Sequence, residues 1–260
     1  MPTLSDYLTD TANLLRDSNN LFTSRAALTR YINLARNQVA KQTGCIPALI
    51  TGRAPFGNAS NPGTFIPGGA QPGSPLLQSF TTLAGVEKYS YGYAVPFLKA
   101  NNAGVKGIVD VISVSVSWGG DRPSLNWLPF DELEAYARSY NIGVFSYPFL
   151  WSTFGSGSKG QVWIFPVPQI TQSGFAQQGA AGEMEWQVTC LPSDLNTSSD
   201  YEAIPESVCD AIPFLAAHYA FLGSQRYSTA AVMKSLYEER LVISNTAGDR
   251  GKSDSYYWDI

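Results

Sequence analysis

The side chains of this 260-residue chain that could carry out chemistry are few and scattered. His218 is the one histidine, and no Gly-x-Ser-x-Gly motif supplies a serine nucleophile to pair with it. Because His218 stands beside Tyr219 and Phe221 in a predicted helix, we expect it to be a packing residue and not a general base. The sequence therefore predicts no catalytic residue and no enzyme.

Carboxylates and thiols form no ligand or acid–base set either. Asp131, Glu132 and Glu134 suit the positive end of a predicted helix, and Glu183 and Glu185 suit one exposed face of a strand. An odd number of cysteines without a Cys-x-x-Cys pair indicates reduced, mostly buried thiols. These cysteines are Cys45, Cys190 and Cys209. We accordingly expect no metal and no cofactor.

One segment near the C-terminus imitates a phosphate-binding loop. Gly251-Lys252-Ser253 copies the end of that motif, but Thr246 occupies the position of its first glycine. The segment also follows a predicted helix, whereas the motif requires a preceding strand. We interpret it as a chance match.

Composition narrows the class of protein further. Charged residues make up 15% of the chain, against about 25% in an average domain, and aromatic residues make up 13%. A surface with few charges and many aromatic groups is typical of a protein covered by partners. The net charge of −4 argues against a free nucleic-acid binder, and neither a signal peptide nor a membrane span is visible.

Helical periodicity marks both ends of the chain. We predict helices over 4–17, capped by Ser5, and over 23–42, ended by Gly44. Helices over 205–222 and 227–243 follow near the C-terminus, the first of them broken or kinked by a proline. The second helix carries only positive charges, which form either a solvated face or a face that meets an acidic neighbour. These charges are Arg25, Arg30, Arg36 and Lys41.

The middle of the chain is predicted to be rich in β-structure. Residues 52–75 contain six glycines and five prolines, so we predict a long irregular loop. Residues 160–182 have no charge and are expected to form a hairpin arm or tip. The predicted strands are 86–95, 106–118, 143–151, 161–167 and 183–191, and a helix is predicted at 129–141.

The last residues combine a polar tether with an aromatic end. Residues 244–255 are polar, and four of the five residues that follow are aromatic or aliphatic. Such a tail either docks onto another chain or folds back onto its own domain, and docking is favoured because Trp and Tyr anchor interfaces. The anchoring residues are Tyr256, Tyr257, Trp258 and Ile260.

Together these elements predict an α+β fold, in which a helical bundle of four to five helices carries an inserted antiparallel β-rich region and an extended C-terminal tail. The predicted division is 1–51 with 192–243 as the helical body, 52–85 as a Gly/Pro-rich loop, 86–191 as the β-rich region with a central helix, and 244–260 as the docking tail.

This layout resembles the head-to-tail portal adaptor proteins of short-tailed bacteriophages, the tail tubular A-like proteins. The resemblance lies in the strand Val162–Pro168 with its Pro-x-Pro end, in Pro192-Ser193-Asp194-Leu195 leading to Ile204-Pro205-Glu206, and in the segment Trp127–Leu133 before a short helix. It covers most of residues 1–243. Residues 52–75 depart from a minimal adaptor, and no role in the family is assigned to them.

The resemblance implies a structural virion protein, made in the host cytoplasm and located in the tail or neck region. Copies would form a ring, usually a dodecamer, that joins the portal protein to the tail nozzle protein around a DNA channel, without sequence-specific DNA binding and without a membrane. The C-terminal tail would dock on the portal. Contacts with the nozzle or with a neighbouring subunit would involve Trp163, Phe165 and Phe175, and a subunit or channel face would involve Arg25, Arg30, Arg36 and Lys41.

Two other classes of function remain as alternatives. One is a different virion binding module, such as a tail or capsid accessory protein or a glycan-binding protein that uses its aromatic residues. The other is a hydrolase, which would depend on His218.

Overall fold

The structure is a computed structural model that describes residues 2–17, 23–51, 53–56, 76–82, 85–117, 123–139, 148–168, 183–197, 200 and 202–249. Its helices are α1 (Leu4–Leu15), α2 (Arg25–Thr43), α3 (Tyr91–Asn101), α4 (Phe130–Ser139), α5 (Glu206–Cys209), α6 (Ile212–Gly223) and α7 (Tyr227–Asp249). Its strands are β1 (Pro47–Ile50), β2 (Arg53–Phe56), β3 (Leu76–Ser79), β4 (Lys88–Ser90), β5 (Val105–Ser117), β6 (Asn126–Trp127), β7 (Leu150–Phe154), β8 (Gln161–Phe165) and β9 (Glu183–Pro192).

The chain forms two compact units. The helical unit contains residues 1–46 and 191–260, and the sheet unit contains residues 47–190. The mixed α+β class predicted from the sequence is confirmed.

Helix α6 is the centre of the helical unit. Helices α1, α2 and α7 all pack against it, so apolar and small side chains are required around its whole circumference. Its buried residues are Ile212, Pro213, Leu215, Ala216, Ala217, Ala220 and Phe221. The alanines let the neighbouring helices approach closely, and Ala217 and Phe221 form a cluster with Ala230 of α7.

Local signals in the sequence explain the start of α1 and both ends of α2. Ser24 caps α2 through the backbone N–H of Ala27, and Gly44 ends that helix in the left-handed conformation, as predicted. The predicted cap of α1 at Ser5 is wrong. Thr3 caps this helix instead, because its side chain and that of Asp6 form a reciprocal capping box.

The two C-terminal helices also depart from the predicted boundaries. The predicted break at Pro213 is confirmed: α5 ends at Cys209, and Pro213 lies in the first turn of α6, where its missing N–H costs no hydrogen bond. Helix α7 is longer than predicted, since it continues to Asp249 through residues assigned to a polar tether. Residues 250–260 lie outside the described part of the chain.

The sheet unit contains three sheets among its described residues. The strand orders are β1-β9-β5, β4-β8-β7-β6 and β2-β3. The pairs β1–β9, β4–β8 and β7–β8 are antiparallel, as predicted for this region, but β6 pairs with β7 in parallel. The connection between β7 and β8 contains a turn of 3₁₀ helix at Gly157–Lys159.

Two predictions for the sheet unit are wrong. Residues 86–95 were predicted as one strand, but only β4 is extended, because Ser90 caps the N–H of Tyr93 and starts α3. Residues 52–75 were predicted to be irregular, yet Arg53–Phe56 pairs antiparallel with Leu76–Ser79. Residues 57–75 lie outside the described residues.

Gly160 provides a test of the packing between α3 and the β7–β8 turn. A Cβ atom at this position would lie 2.3 Å from the ring of Tyr91, a ring that is itself buried. We expect Gly160→Ala to lower the free energy of unfolding by about 1–3 kcal/mol, because the core would be overpacked. Urea unfolding followed by circular dichroism measures this change.

Gly107→Ala is the matched control, since its Cβ would meet nothing within 4 Å. We expect this variant to unfold at or slightly above the wild-type urea concentration. Equal urea midpoints of unfolding for Gly160→Ala and Gly107→Ala would contradict the packing described around Tyr91.

Candidate interaction surfaces

A buried ion pair joins α2 to the segment that follows β9 in the helical unit. The Nε and Nη2 atoms of Arg36 donate to the two carboxylate oxygens of Glu202 at 2.9 and 2.7 Å. Both side chains are about 1% exposed. Two parallel hydrogen bonds between a guanidinium and a carboxylate are the geometry in which such a pair is strongest.

Further hydrogen bonds connect this pair to the backbone of residues 193–204. Arg36 Nη1 donates to the carbonyl oxygen of Ser193 at 2.7 Å, and Glu202 accepts from the N–H of Ile204 at 3.0 Å. Asn33 bonds both the N–H and the carbonyl oxygen of Leu195, at 2.9 and 3.0 Å. The described residues between Ser193 and Ile204 form neither helix nor strand, so side chains supply the partners that their backbone needs.

This burial corrects the predicted basic face of α2. Arg36 was grouped with Arg25, Arg30 and Lys41, but it is fully buried and neutralised within the chain. The other three side chains are exposed. Sequence reasoning missed both Glu202 and the role of Arg36, although Arg36 follows Ile32 by four residues and therefore lies beside the apolar stripe of α2.

Two more polar groups lie near the ion pair and are held neutral. Burial raises the pKa of the Tyr7 hydroxyl well above its usual range, and the nearby Glu202 carboxylate raises it further. Burial likewise raises the pKa of Cys209 to about 11. Because the thiolate is the reactive form of cysteine, Cys209 is inert at neutral pH. Burial has the same effect on Cys190, whose pKa rises to about 12.

His218 has a structural role in the helical unit. Its Nδ1 lies 2.8 Å from the carbonyl oxygen of Ala230, and since a carbonyl only accepts, Nδ1 carries the proton and donates. The ring thus links α6 to α7 and also packs against Tyr219. This geometry supports the packing role predicted for His218, while the absence of catalysis stays a prediction.

In the sheet unit, α4 covers an aromatic layer on one face of the β4-β8-β7-β6 sheet. Phe130 of α4 lies 4.8 Å from Trp163 and 4.6 Å from Phe154, measured between ring centroids. The ammonium of Lys88 lies 3.9 Å from the centroid of Trp163, as a cation–π pair. Phe154 remains 51% exposed at the edge of this layer.

The structure describes two of the three residues predicted to contact the nozzle or a neighbour. Trp163 and Phe165 are half-buried, and Tyr136 of α4 covers Phe165 at a centroid distance of 5.9 Å. Phe175 lies outside the described residues, as do the predicted anchors Tyr256, Tyr257, Trp258 and Ile260. A contact of any of these residues with a partner stays a prediction.

The described residues provide neither a cluster of metal ligands nor a membrane-spanning helix. No group of three or more His, Cys, Asp or Glu side chains that could hold a metal ion occurs among them. Within the same ranges, no helix is long and apolar enough to cross a membrane.

His218, Cys190 and Cys209 are thus used for internal hydrogen bonds or for packing. Residues 2–255 match the model of the SU10 adaptor protein family. Because the match covers nearly the whole chain, the chain belongs to this family. The family consists of structural proteins of bacteriophages, associated with portal and tail components in the neck of the virion. A search of curated proteins finds no match.

The ion pair generates a stability prediction. We expect Arg36→Met to lower the free energy of unfolding by about 3–5 kcal/mol, because it leaves the Glu202 carboxylate buried without its partner. Glu202→Gln should also destabilise the protein, and the double variant should lose at least about 1 kcal/mol less than the two losses added together. Urea unfolding of all four proteins gives this double-mutant cycle.

Arg30→Met is the matched control on the same helix, because Arg30 is exposed. Its effect should stay within about 0.5 kcal/mol. Strictly additive losses for Arg36 and Glu202, or a loss for Arg30→Met as large as that for Arg36→Met, would refute the structural role of the pair.

Proposed function

We propose that this protein is the head-to-tail adaptor that joins the portal protein of its phage to the tail nozzle protein. Copies form a ring, with the dodecamer as the expected state, and the packaged DNA passes through the ring without sequence-specific binding. The observation that carries this proposal is the match of residues 2–255 to the adaptor family.

The surface of the helical unit supports an assembling protein. Helix α7 exposes large apolar side chains, with Tyr227 66% exposed and Val232 55% exposed. Such side chains are ordinarily covered when they occur together on one element. In the proposed ring, the helical unit forms the body and these faces are buried between copies.

The remaining contacts are assigned to the ends of the molecule. The anchors Tyr256, Tyr257, Trp258 and Ile260 dock on the portal, and Trp163, Phe165 and Phe175 contact the nozzle or a neighbouring subunit. Because α7 runs to Asp249 and buries Ser244, the proposed portal-binding tail begins at residue 250 and not at residue 244.

The first experiment measures the mass of the purified chain by light scattering across a wide range of concentrations, with and without the portal protein of the same phage. We expect closed oligomers of one size, formed alone or on the portal. A chain that stays monomeric and fails to bind the portal under all conditions would overturn the proposed function.

A second experiment tests the tail. Removal of residues 250–260 should preserve folding and the ring, because α7 stays intact, but should abolish capture of the portal protein in a pull-down. The full-length variant with Tyr256, Tyr257 and Trp258 replaced by Ser is the matched control for chain length, and it should also fail to capture the portal. Unchanged capture by both variants would contradict docking through the tail.

A further inference from the structure

Helix α2 presents an outward stripe of basic and apolar side chains. Arg30, Leu34 and Lys41 follow one another at spacings of four and seven residues, which places them on one side of the helix. Leu34 is 45% exposed, and neither cation forms an ion pair among the described residues. Helix α2 also contains no acidic residue, so its own sequence cannot neutralise the stripe.

Helix α7 presents an outward stripe of apolar and acidic character. Val232, Leu236 and Glu239 follow one another at spacings of four and three residues, away from the buried line of Ala230 and Tyr237. Val232 is 55% exposed, Leu236 is half-buried, and Glu239 is exposed.

The charged neighbours of Glu239 are already engaged within the chain. Glu238 pairs with Lys234 at 3.7 Å, and the guanidinium of Arg240 lies 5.9 Å from the ring of Phe214. Glu239 itself has no cation within ion-pair distance among the described residues. Among the α7 carboxylates whose side chains the structure describes, Glu239 is therefore the one left for a partner.

The two stripes cannot pair with each other inside one chain. Tyr237 of α7 donates a hydrogen bond to the side-chain oxygen of Gln42 of α2, so this side of α7 faces α2. Glu239 follows Tyr237 by two residues, which turns it by about 200° around the helix axis and away from α2. The complement of each stripe must come from another molecule.

The spacing and charge of the stripes match each other. Leu34 and Lys41 are seven residues apart, as are Val232 and Glu239, so each apolar–charged pair spans about 10.5 Å along its helix. Placed side by side with their helices parallel, the stripes would bring Leu34 against Val232 and Lys41 against Glu239. The contact would then have an apolar centre and a charged rim. Two copies of the α2 stripe would instead bring cations against cations, which is disfavoured.

We propose that the α2 stripe of one copy docks on the α7 stripe of the next copy, with Lys41 paired to Glu239. Because two different surfaces of the same chain meet, the contact is heterologous and can repeat around a closed ring. This proposal rests on the proposed function, to which it adds the surfaces that join neighbouring subunits. The exposed Leu34 between the cations favours a protein partner over the phosphate backbone of DNA.

A charge-swap experiment tests the contact in the full chain. Lys41→Glu and Glu239→Lys should each raise the concentration needed for ring formation by roughly tenfold or more, because like charges then face each other. The double variant Lys41→Glu/Glu239→Lys should restore ring formation towards the wild-type level. Light scattering measures the mass, and circular dichroism verifies that each variant is folded.

Two controls carry the same charge changes outside the stripes. Lys99→Glu changes an exposed residue of α3, and Asp10→Lys changes an exposed residue of α1. Both should form rings like the wild-type protein. Equal loss of rings in the controls and in the stripe variants would overturn the proposal, because it would reduce the effect to net charge.

The remaining outcomes distinguish a failure of the proposed α2–α7 contact from a failure of the proposed adaptor function. Wild-type rings that persist in Lys41→Glu and in Glu239→Lys would overturn the contact and leave the adaptor function standing. If Lys41→Glu loses binding to duplex DNA but still forms rings, the α2–α7 contact is overturned, and the α2 stripe faces DNA instead. Absence of rings from the wild-type protein, alone and with portal, would overturn the proposed function and the contact together.

Discussion

The buried pair of Arg36 and Glu202 closes a helical unit that is interrupted in the sequence. The chain leaves this unit after residue 46 and returns at residue 191, and the paired residues are 166 positions apart. The pair therefore bonds together two parts of the helical unit that the inserted sheet unit separates in the sequence. The pair also fixes an irregular segment of backbone, which then leads directly into α5 and α6.

The position of α6 determines which surfaces remain for assembly. Since α1, α2 and α7 all cover this apolar helix, each contributes one face to the core and keeps the other for solvent or for partners. In α7 the described residues that are fully buried are Ala230, Tyr237 and Ser244, one for every seven positions. The other residues between Ala230 and Ser244 are exposed or half-buried, so this stretch of the helix keeps a large surface outside the core.

Local patterns predicted the order and type of most elements, because caps and periodicity act over a few residues. Gly44, Pro213 and the alternation in β5 are such cases. The prediction failed where two local patterns compete, as at Ser90, which ends a strand and caps a helix. It also failed for the partnership of Arg36 with Glu202, because no short-range rule connects residues so far apart. For the same reason, the sequence predicted a basic face on α2 that includes Arg36, whereas the structure buries this side chain against Glu202.

The connection of the sheet unit has a consequence for how such proteins diversify. Its first strand, β1, and its last, β9, are antiparallel neighbours, with Pro47 opposite Thr189. The chain therefore enters and leaves the sheet unit at adjacent points, the arrangement in which whole domains are inserted or exchanged without disturbing their host. The sheet unit is in this sense a cassette: recombination between phages could exchange it while the fold of the helical unit stayed unchanged.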